Sequence, residues 1–318
     1  MNNDDFGYLK EYIENELITD INFNGKMLWI DHIKKGRYCI EDFDNKDFIN
    51  NLCYKIANYV NLSFNVTSPL LEAYTKDLRI SIIHESIAQG GNSLSIRKTP
   101  AVKRLVRRNM IKDKYATASI LNYLESAVAG NKNILIGGLP GVGKTELVKY
   151  LSSFIKENER VITIEDTLEL RYQDINPNMD VVAIRVNDDF TYVDAIKASL
   201  RQKPNWILVA EVRSHEVIHL LESISTGASI MSTLHCKKAK DIPNRILHMC
   251  DKYQLDNEQL LKNIHGSIQI GVMINCKFTN KGITRYISEV VEFYYENSEY
   301  GYRVIYEDNK NDNEKVKE

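Results

Sequence analysis

The sequence predicts an α/β protein: a small α+β domain over residues 1–98, then a larger domain over 116–306 built on a mainly parallel sheet. Three observations lead there. A chain of 318 residues has room for two domains at roughly 150 residues each. From residue 116 onward, short apolar runs alternate with amphipathic segments. The runs at 133–137 (NILIG), 161–164 (VITI), 181–186 (VVAIRV) and 206–210 (WILVA) are continuously apolar, as strands covered on both faces are.

The elements follow in order. Residues 8–18 place apolar side chains near helical spacing and predict a short amphipathic helix. Residues 18–40 read as strands, with a hairpin turn at Asn24-Gly25. Positions 48, 49, 52, 56, 59 and 60 predict a helix over 45–62, and 78–83 and 93–97 read as strands separated by Gly90-Gly91. Thr99-Pro100 then punctuates the chain. The stretch 99–115 carries Lys103, Arg104, Arg107, Arg108, Lys112 and Lys114, and reads as a basic linker. Such a run is a solvated face or a contact for nucleotide, acidic lipid or a neighbouring subunit. Helices are expected over 116–129, 146–157, 191–202 and 214–226, and strands return over 267–306. Residues 307–318 are charged, nearly free of apolar side chains, and expected to be disordered.

Composition excludes several classes. With 43% hydrophobic and 26% charged residues, the chain is neither wholly disordered nor a rod. A net charge of −2 gives no global field toward nucleic acid or anionic membranes, so direct nucleic-acid binding is not expected. The five cysteines form no CxxC pair, which argues against a disulfide framework or a zinc site. The N-terminus has no apolar h-region, and no run approaches the ~18 apolar residues of a membrane span. A cytoplasmic protein, at most peripheral to a membrane, is expected.

One motif carries the functional argument. Gly138-Leu139-Pro140-Gly141-Val142-Gly143-Lys144-Thr145 is GxxxxGK[ST], set after an apolar strand and before an amphipathic helix. Glycines let the backbone curl so that successive N–H groups face phosphate oxygens. The helix N-terminus adds partial positive charge. Lys144 is placed to reach the β- and γ-phosphates, and the Thr145 hydroxyl to bind Mg²⁺. ATP and Mg²⁺ are the expected ligands.

Further signals stand at strand ends. Glu165 closes the VITI strand, at the sheet edge where open α/β folds bind ligands. A carboxylate there suits orienting water or holding Mg²⁺, or merely capping a helix. Glu211 ends the apolar strand ILVA, the Walker B pattern, and suits holding Mg²⁺ or its water. His235 follows the strand-like IMSTL, presented as a sensor of the γ-phosphate would be, although a lone histidine is often a satisfied structural group.

The ordered set GGLPGVGKT, VITIEDTLEL, LRQKPNWILVAEVR, TGASIMSTLH and Arg245, with ITDINFNG, LRISII and SLSIRK before it, resembles the type II/IV secretion (traffic) ATPase family. VirB-type conjugation and CpaF-type Tad-pilus ATPases look most similar, over most of residues 15–300. The resemblance implies a RecA-like P-loop NTPase domain and a hexameric ring at the cytoplasmic face of a membrane machine. It implies ATP bound between the domains, hydrolysis driving export or pilus assembly, and inner-membrane partners. Lys144 and Thr145 take the Walker A roles. Glu165 matches the glutamate thought to polarise the attacking water, Glu211 the Walker B glutamate and His235 the His-box histidine. Arg79 and Arg97 match N-terminal-domain arginines, some of which reach phosphate groups. Arg201, Arg213 and Arg245 match family positions as well.

The chain also departs from the pattern. Leu139-Pro140 replaces a Thr-Gly step, and Glu146 replaces a second Thr beside the Mg²⁺ ligand, where it would alter metal affinity. Pro204-Asn205-Trp206 stands for Pro-Asp-Arg, and Ala228 for one His-box histidine. Hydrolysis is still expected, because Lys144, Glu165, Glu211 and His235 are all present. The alternatives are a nucleic-acid-associated P-loop motor and a weakly hydrolysing, nucleotide-gated scaffold.

Overall fold

Alternating polarity along the first strands builds an antiparallel sheet with one buried face. The computed structural model describes residues 1–41, 43–250, 256–279 and 282–308. A 3₁₀ segment (Asn3–Leu9) leads into α1 (Lys10–Glu14), β1 (Ile18–Phe23), β2 (Leu28–His32), β3 (Gly36–Ile40), α2 (Lys46–Val60), β4 (Leu70–Tyr74), β5 (Leu78–Ile83) and β6 (Ser93–Lys98). The sheet runs β3-β2-β1-β6-β5-β4 with every neighbouring pair antiparallel. Leu78, Ile80 and Ile82 of β5 are buried in alternation and share a core with Ile49, Leu52 and Ile56 of α2. The first helix differs from expectation. The turn starts at Asn3, capped by Asn2 with Asp5 in a capping box, breaks at Gly7, and α1 ends at Glu14.

Continuous apolar strands build the second unit. It contains α3 (Arg107–Lys112), α4 (Ala118–Ala129), β7 (Ile134–Gly137), α5 (Lys144–Ser152), β8 (Val161–Glu165), α6 (Tyr172–Ile175), β9 (Val181–Arg185), α7 (Tyr192–Leu200), β10 (Trp206–Val209), α8 (Glu216–Ser225) and β11 (Ser229–Leu234). These are followed by α9 (Ile242–Met249), α10 (Asn257–Ser267), β12 (Ile270–Thr279), β13 (Gly282–Glu296) and β14 (Glu299–Glu307). The sheet order is β14-β13-β12-β7-β11-β10-β8-β9. The strands from β12 to β9 pair in parallel, and β14 pairs with β13 antiparallel.

Both faces of that sheet are covered. Ile134 and Ile136 of β7 pack with α4 and α5 in one core, while Ile207 and Val209 of β10 pack with α7, α8 and α9 in the other. Every residue of β7, β10 and β11 is buried, which is why those runs show no polar alternation.

The chain divides into two compact units, the first ending close to the expected boundary at residue 98. Residues 1–100 group with 278–284, and 101–277 group with the chain from Arg285 onward. The segment 278–284 leaves the larger domain because it is tied to the first unit, where the Ile283 N–H donates to Lys34 O at 3.0 Å. Residues 101–115 are not a free linker. Arg104 pairs with Glu146 at 3.5 Å, and Arg107 pairs with Glu125 of α4. Of the tail expected to be disordered, residues 309–318 lie outside the described residues, and Glu307 belongs to β14. All five cysteines are free, and no helix of the described residues is long and apolar enough to cross a membrane.

Candidate nucleotide-binding site

Strand register puts the site together. β7 pairs with β11 so that Gly137 faces Leu234, and β10 sits between β11 and β8 with Val209 opposite both Ser232 and Ile164. The loops leaving β7, β8, β10 and β11 therefore emerge side by side at the C-terminal sheet edge. Those loops carry Gly138–Thr145, Glu165, Glu211 and His235.

The GxxxxGK[ST] segment forms a tight loop into α5. Gly138 has φ +156, and a Cβ there would lie 2.7 Å from Val142 Cγ2 and 2.8 Å from Ile274 O, so no side chain fits. Leu139, Pro140 and Gly141 are exposed at the tip, whereas Val142 and Lys144 are buried. The Lys144 ammonium donates to Gly138 O at 3.2 Å and Leu139 O at 3.4 Å, and lies 3.2 Å from His235 Nδ1. Burial draws the ammonium below its ordinary pKa, against the opposing pull of Glu211 and Glu169.

A chain of charged contacts runs outward from Lys144. His235 Nδ1 is also 3.2 Å from Gly138 O; it accepts from Lys144 or donates to that carbonyl according to tautomer. His235 Nε2 lies 2.7 Å from Glu211 Oε1, and that buried oxygen accepts no hydrogen bond among the described residues. Glu211 Oε2 accepts from Arg213 Nε at 2.7 Å, and Arg213 Nη1 donates to Asp166 Oδ2 at 3.0 Å. Burial opposes the charge on Arg213, but the Glu211 hydrogen bond and the Asp166 carboxylate outweigh it and hold its pKa above the ordinary value.

Glu165 and Glu169 divide the β8 loop between them. Glu165 is 1% exposed, and its Oε2 accepts the backbone N–H groups of Glu169 and Leu170, both at 2.7 Å. Burial raises its pKa from 4.5 to about 7 despite those hydrogen bonds. Glu169 Oε2 accepts from the Thr145 hydroxyl at 3.3 Å. Sequence reasoning assigned Glu169 no role; the signal was its place four residues beyond Glu165, which matters only once the loop folds back.

Other expected residues sit differently. Glu146 turns to Lys149 Nζ at 3.2 Å and to Arg104. Its carboxylate is thus engaged by these cations instead of Thr145. Arg79 and Arg97 are register partners across β5 and β6 in the first unit. Arg79 Nη2 donates to both Glu72 oxygens at 3.3 Å, and Arg97 Nε to Asp20 at 2.9 Å.

The residues fit nucleotide with Mg²⁺. The loop offers N–H groups, Thr145 a hydroxyl and Glu211 a buried oxygen that accepts no hydrogen bond among the described residues. Among the described residues no cluster of three or more His, Cys, Asp or Glu side chains is placed to hold a metal. Mg²⁺ does not demand one, since it is commonly held by few protein ligands together with phosphates.

Comparison with known proteins agrees with this geometry. The family model described as Type II/IV secretion system protein matches residues 70–290. An uncharacterised protein of Bacillus anthracis is 28% identical over 293 residues, 87% of this chain and 65% of that relative. The chain spans less than two thirds of the length of this and the next several curated relatives it matches. Among solved structures, the Legionella pneumophila ATPase DotB aligns with TM-score 0.69 at 18% identity, over 92% of this chain and 81% of that one. The pilus retraction motor PilT with bound ADP aligns with TM-score 0.65 at 20% identity, over 96% and 83%. At these identities the likeness establishes the fold: an N-terminal domain and a RecA-like core on a mostly parallel sheet. With the matched segment covering well over half its length, the chain belongs to the type II/IV secretion system protein family.

Proposed function

We propose that this chain is an ATP-hydrolysing motor subunit of a secretion or pilus-assembly machine. It works as a hexameric ring on the cytoplasmic face of a membrane with inner-membrane partners. The observation behind it is the meeting of Lys144, Thr145, Glu169, Glu211 and His235 at one sheet edge, with Glu211 Oε1 buried 2.7 Å from His235 Nε2 and accepting no hydrogen bond among the described residues. Family membership and the ATPase and ADP-bound motor among the structural neighbours support it.

Lys144 and the loop N–H groups bind the phosphates. Thr145 and Glu211 hold Mg²⁺, which neutralises developing charge on the phosphates when bound. His235 senses the γ-phosphate through its position between Lys144 and Glu211. Glu165 is satisfied by two backbone amides, so its role is to shape the β8 loop. We assign the orientation of the attacking water to Glu169.

Light-scattering mass with Mg²⁺ and a non-hydrolysable ATP analogue, beside Lys144→Ala, tests it. A nucleotide-dependent mass of six subunits, lost in the variant, is expected. A monomer in both samples removes the ring, and absence of nucleotide binding removes the motor.

A further inference from the structure

Resting on the nucleotide-site reading, we propose that Arg285 is a positioning residue that holds the phosphate-binding loop in its nucleotide-accepting shape. Arg285 lies on β13, 144 residues from Gly141, yet its Nε–H and Nη2–H both donate to Gly141 O at 3.3 Å. Its Cδ would lie 3.7 Å from a Cβ placed on Gly143, so the stem follows the loop as well.

The loop needs such a hold. Gly141 is exposed, has φ +76, and a Cβ there would meet nothing within 4 Å. Sterics do not confine it, and a glycine loses the most backbone freedom when ordered. Val142 is 2% exposed and anchors the loop from inside. Arg285 anchors it from outside.

Between these anchors the Gly141–Val142 peptide has a set orientation. In a planar trans peptide the C=O and N–H point opposite ways. A Gly141 carbonyl held by the guanidinium therefore aims the Val142 N–H away from Arg285, toward the concave side where phosphate is received. Among the described residues that N–H makes one long contact, to Leu139 O at 3.5 Å, and stays available to a phosphate oxygen. A flipped peptide would present a carbonyl dipole to the phosphate instead.

The surroundings suit a guanidinium. Burial is the largest influence on Arg285 and lowers its pKa, with Arg104 adding like charge. The buried Tyr115 hydroxyl, which has no hydrogen-bond partner among the described residues, is close enough to feel the Arg285 charge. A partly desolvated planar fork bonds a carbonyl more firmly than a hydrated ammonium does.

The test uses the full chain: wild type, Arg285→Ala, Arg285→Lys and Lys144→Ala. Two quantities are read, amide hydrogen exchange over 139–143 without nucleotide and the affinity for fluorescent ADP with Mg²⁺. Arg285→Ala is expected to speed exchange at Val142 and Gly143 and to weaken ADP about tenfold. Arg285→Lys keeps the charge but not the fork, so exchange stays fast while part of the affinity returns at low salt; it also serves if the alanine variant melts early. Wild-type affinity in Arg285→Ala overturns the proposal. If the wild type itself binds no nucleotide, the nucleotide-site reading fails separately. The exchange comparison then still decides whether Arg285 holds the loop, and unchanged exchange overturns it.

Discussion

Glu165 and Glu169 stand four residues apart and use their carboxylates in opposite directions. Glu165 Oε2 accepts the backbone N–H of Glu169 at 2.7 Å, and Glu169 Oε2 accepts the Thr145 hydroxyl at 3.3 Å. The first shapes the loop that delivers the second to the phosphate-binding helix.

Glu165 gives a pH signature. Its folded pKa of about 7 exceeds the ordinary 4.5, chiefly through burial. Across that window the native state binds more protons than the unfolded one, so the group's contribution to stability falls as pH rises and levels off above about pH 7. Glu165→Gln keeps a carbonyl for the two amides and removes the titration. Thermal melts are expected to show the variant more stable at pH 8, by up to about 3 kcal/mol, with the gap closing by pH 5. A gap independent of pH would contradict the account.

Glu169 is the carboxylate whose loss should tell in turnover. Glu169→Gln is expected to lower kcat by about 10²–10⁴-fold while nucleotide affinity changes less than about tenfold. Single-turnover phosphate release beside a binding titration measures both. Full turnover in Glu169→Gln, with turnover lost in Glu165→Gln at pH 8, would return the role to Glu165.

Glu146 follows Thr145 directly, but its carboxylate is engaged by Lys149 and Arg104. The Lys149 side chain is 4% exposed, so losing its partner leaves a buried cation poorly compensated. Glu146→Thr is expected to cost about 2 kcal/mol in stability, a fall of several degrees in Tm. The Mg²⁺ concentration for half-maximal activity should move by less than about twofold, as expected for a group not on the metal. A large Mg²⁺ shift without a Tm change would place Glu146 at the metal.

What the sequence showed plainly was local. A phosphate loop is written in spaced glycines and a Lys-Thr pair within eight neighbouring residues, and strands buried on both faces are rich in apolar side chains, so Gly138–Thr145 and the strand ends at Glu165, Glu211 and His235 were legible. Glu169 was not, because its meaning depends on Glu165 folding the loop back by two backbone hydrogen bonds. Arg285 was hidden by separation: nothing near it in the chain points to Gly141. Arg104 and Arg107 read as part of a solvated run because their partners, Glu146 and Glu125, lie on helices further along, whereas Lys103, Arg108, Lys112 and Lys114 are exposed. The displaced segment 278–284 was hidden for the same reason, since Lys34 is about 250 residues away.

Lys144, among the strand-end carboxylates, is proposed to serve a site that hydrolyses ATP. Steady-state phosphate release from ATP with Mg²⁺, wild type beside Lys144→Ala, tests it most directly. Measurable turnover is expected, falling at least about 100-fold in the variant, as loss of a transition-state cation requires. No turnover in the wild type, or equal turnover in both proteins, would contradict it.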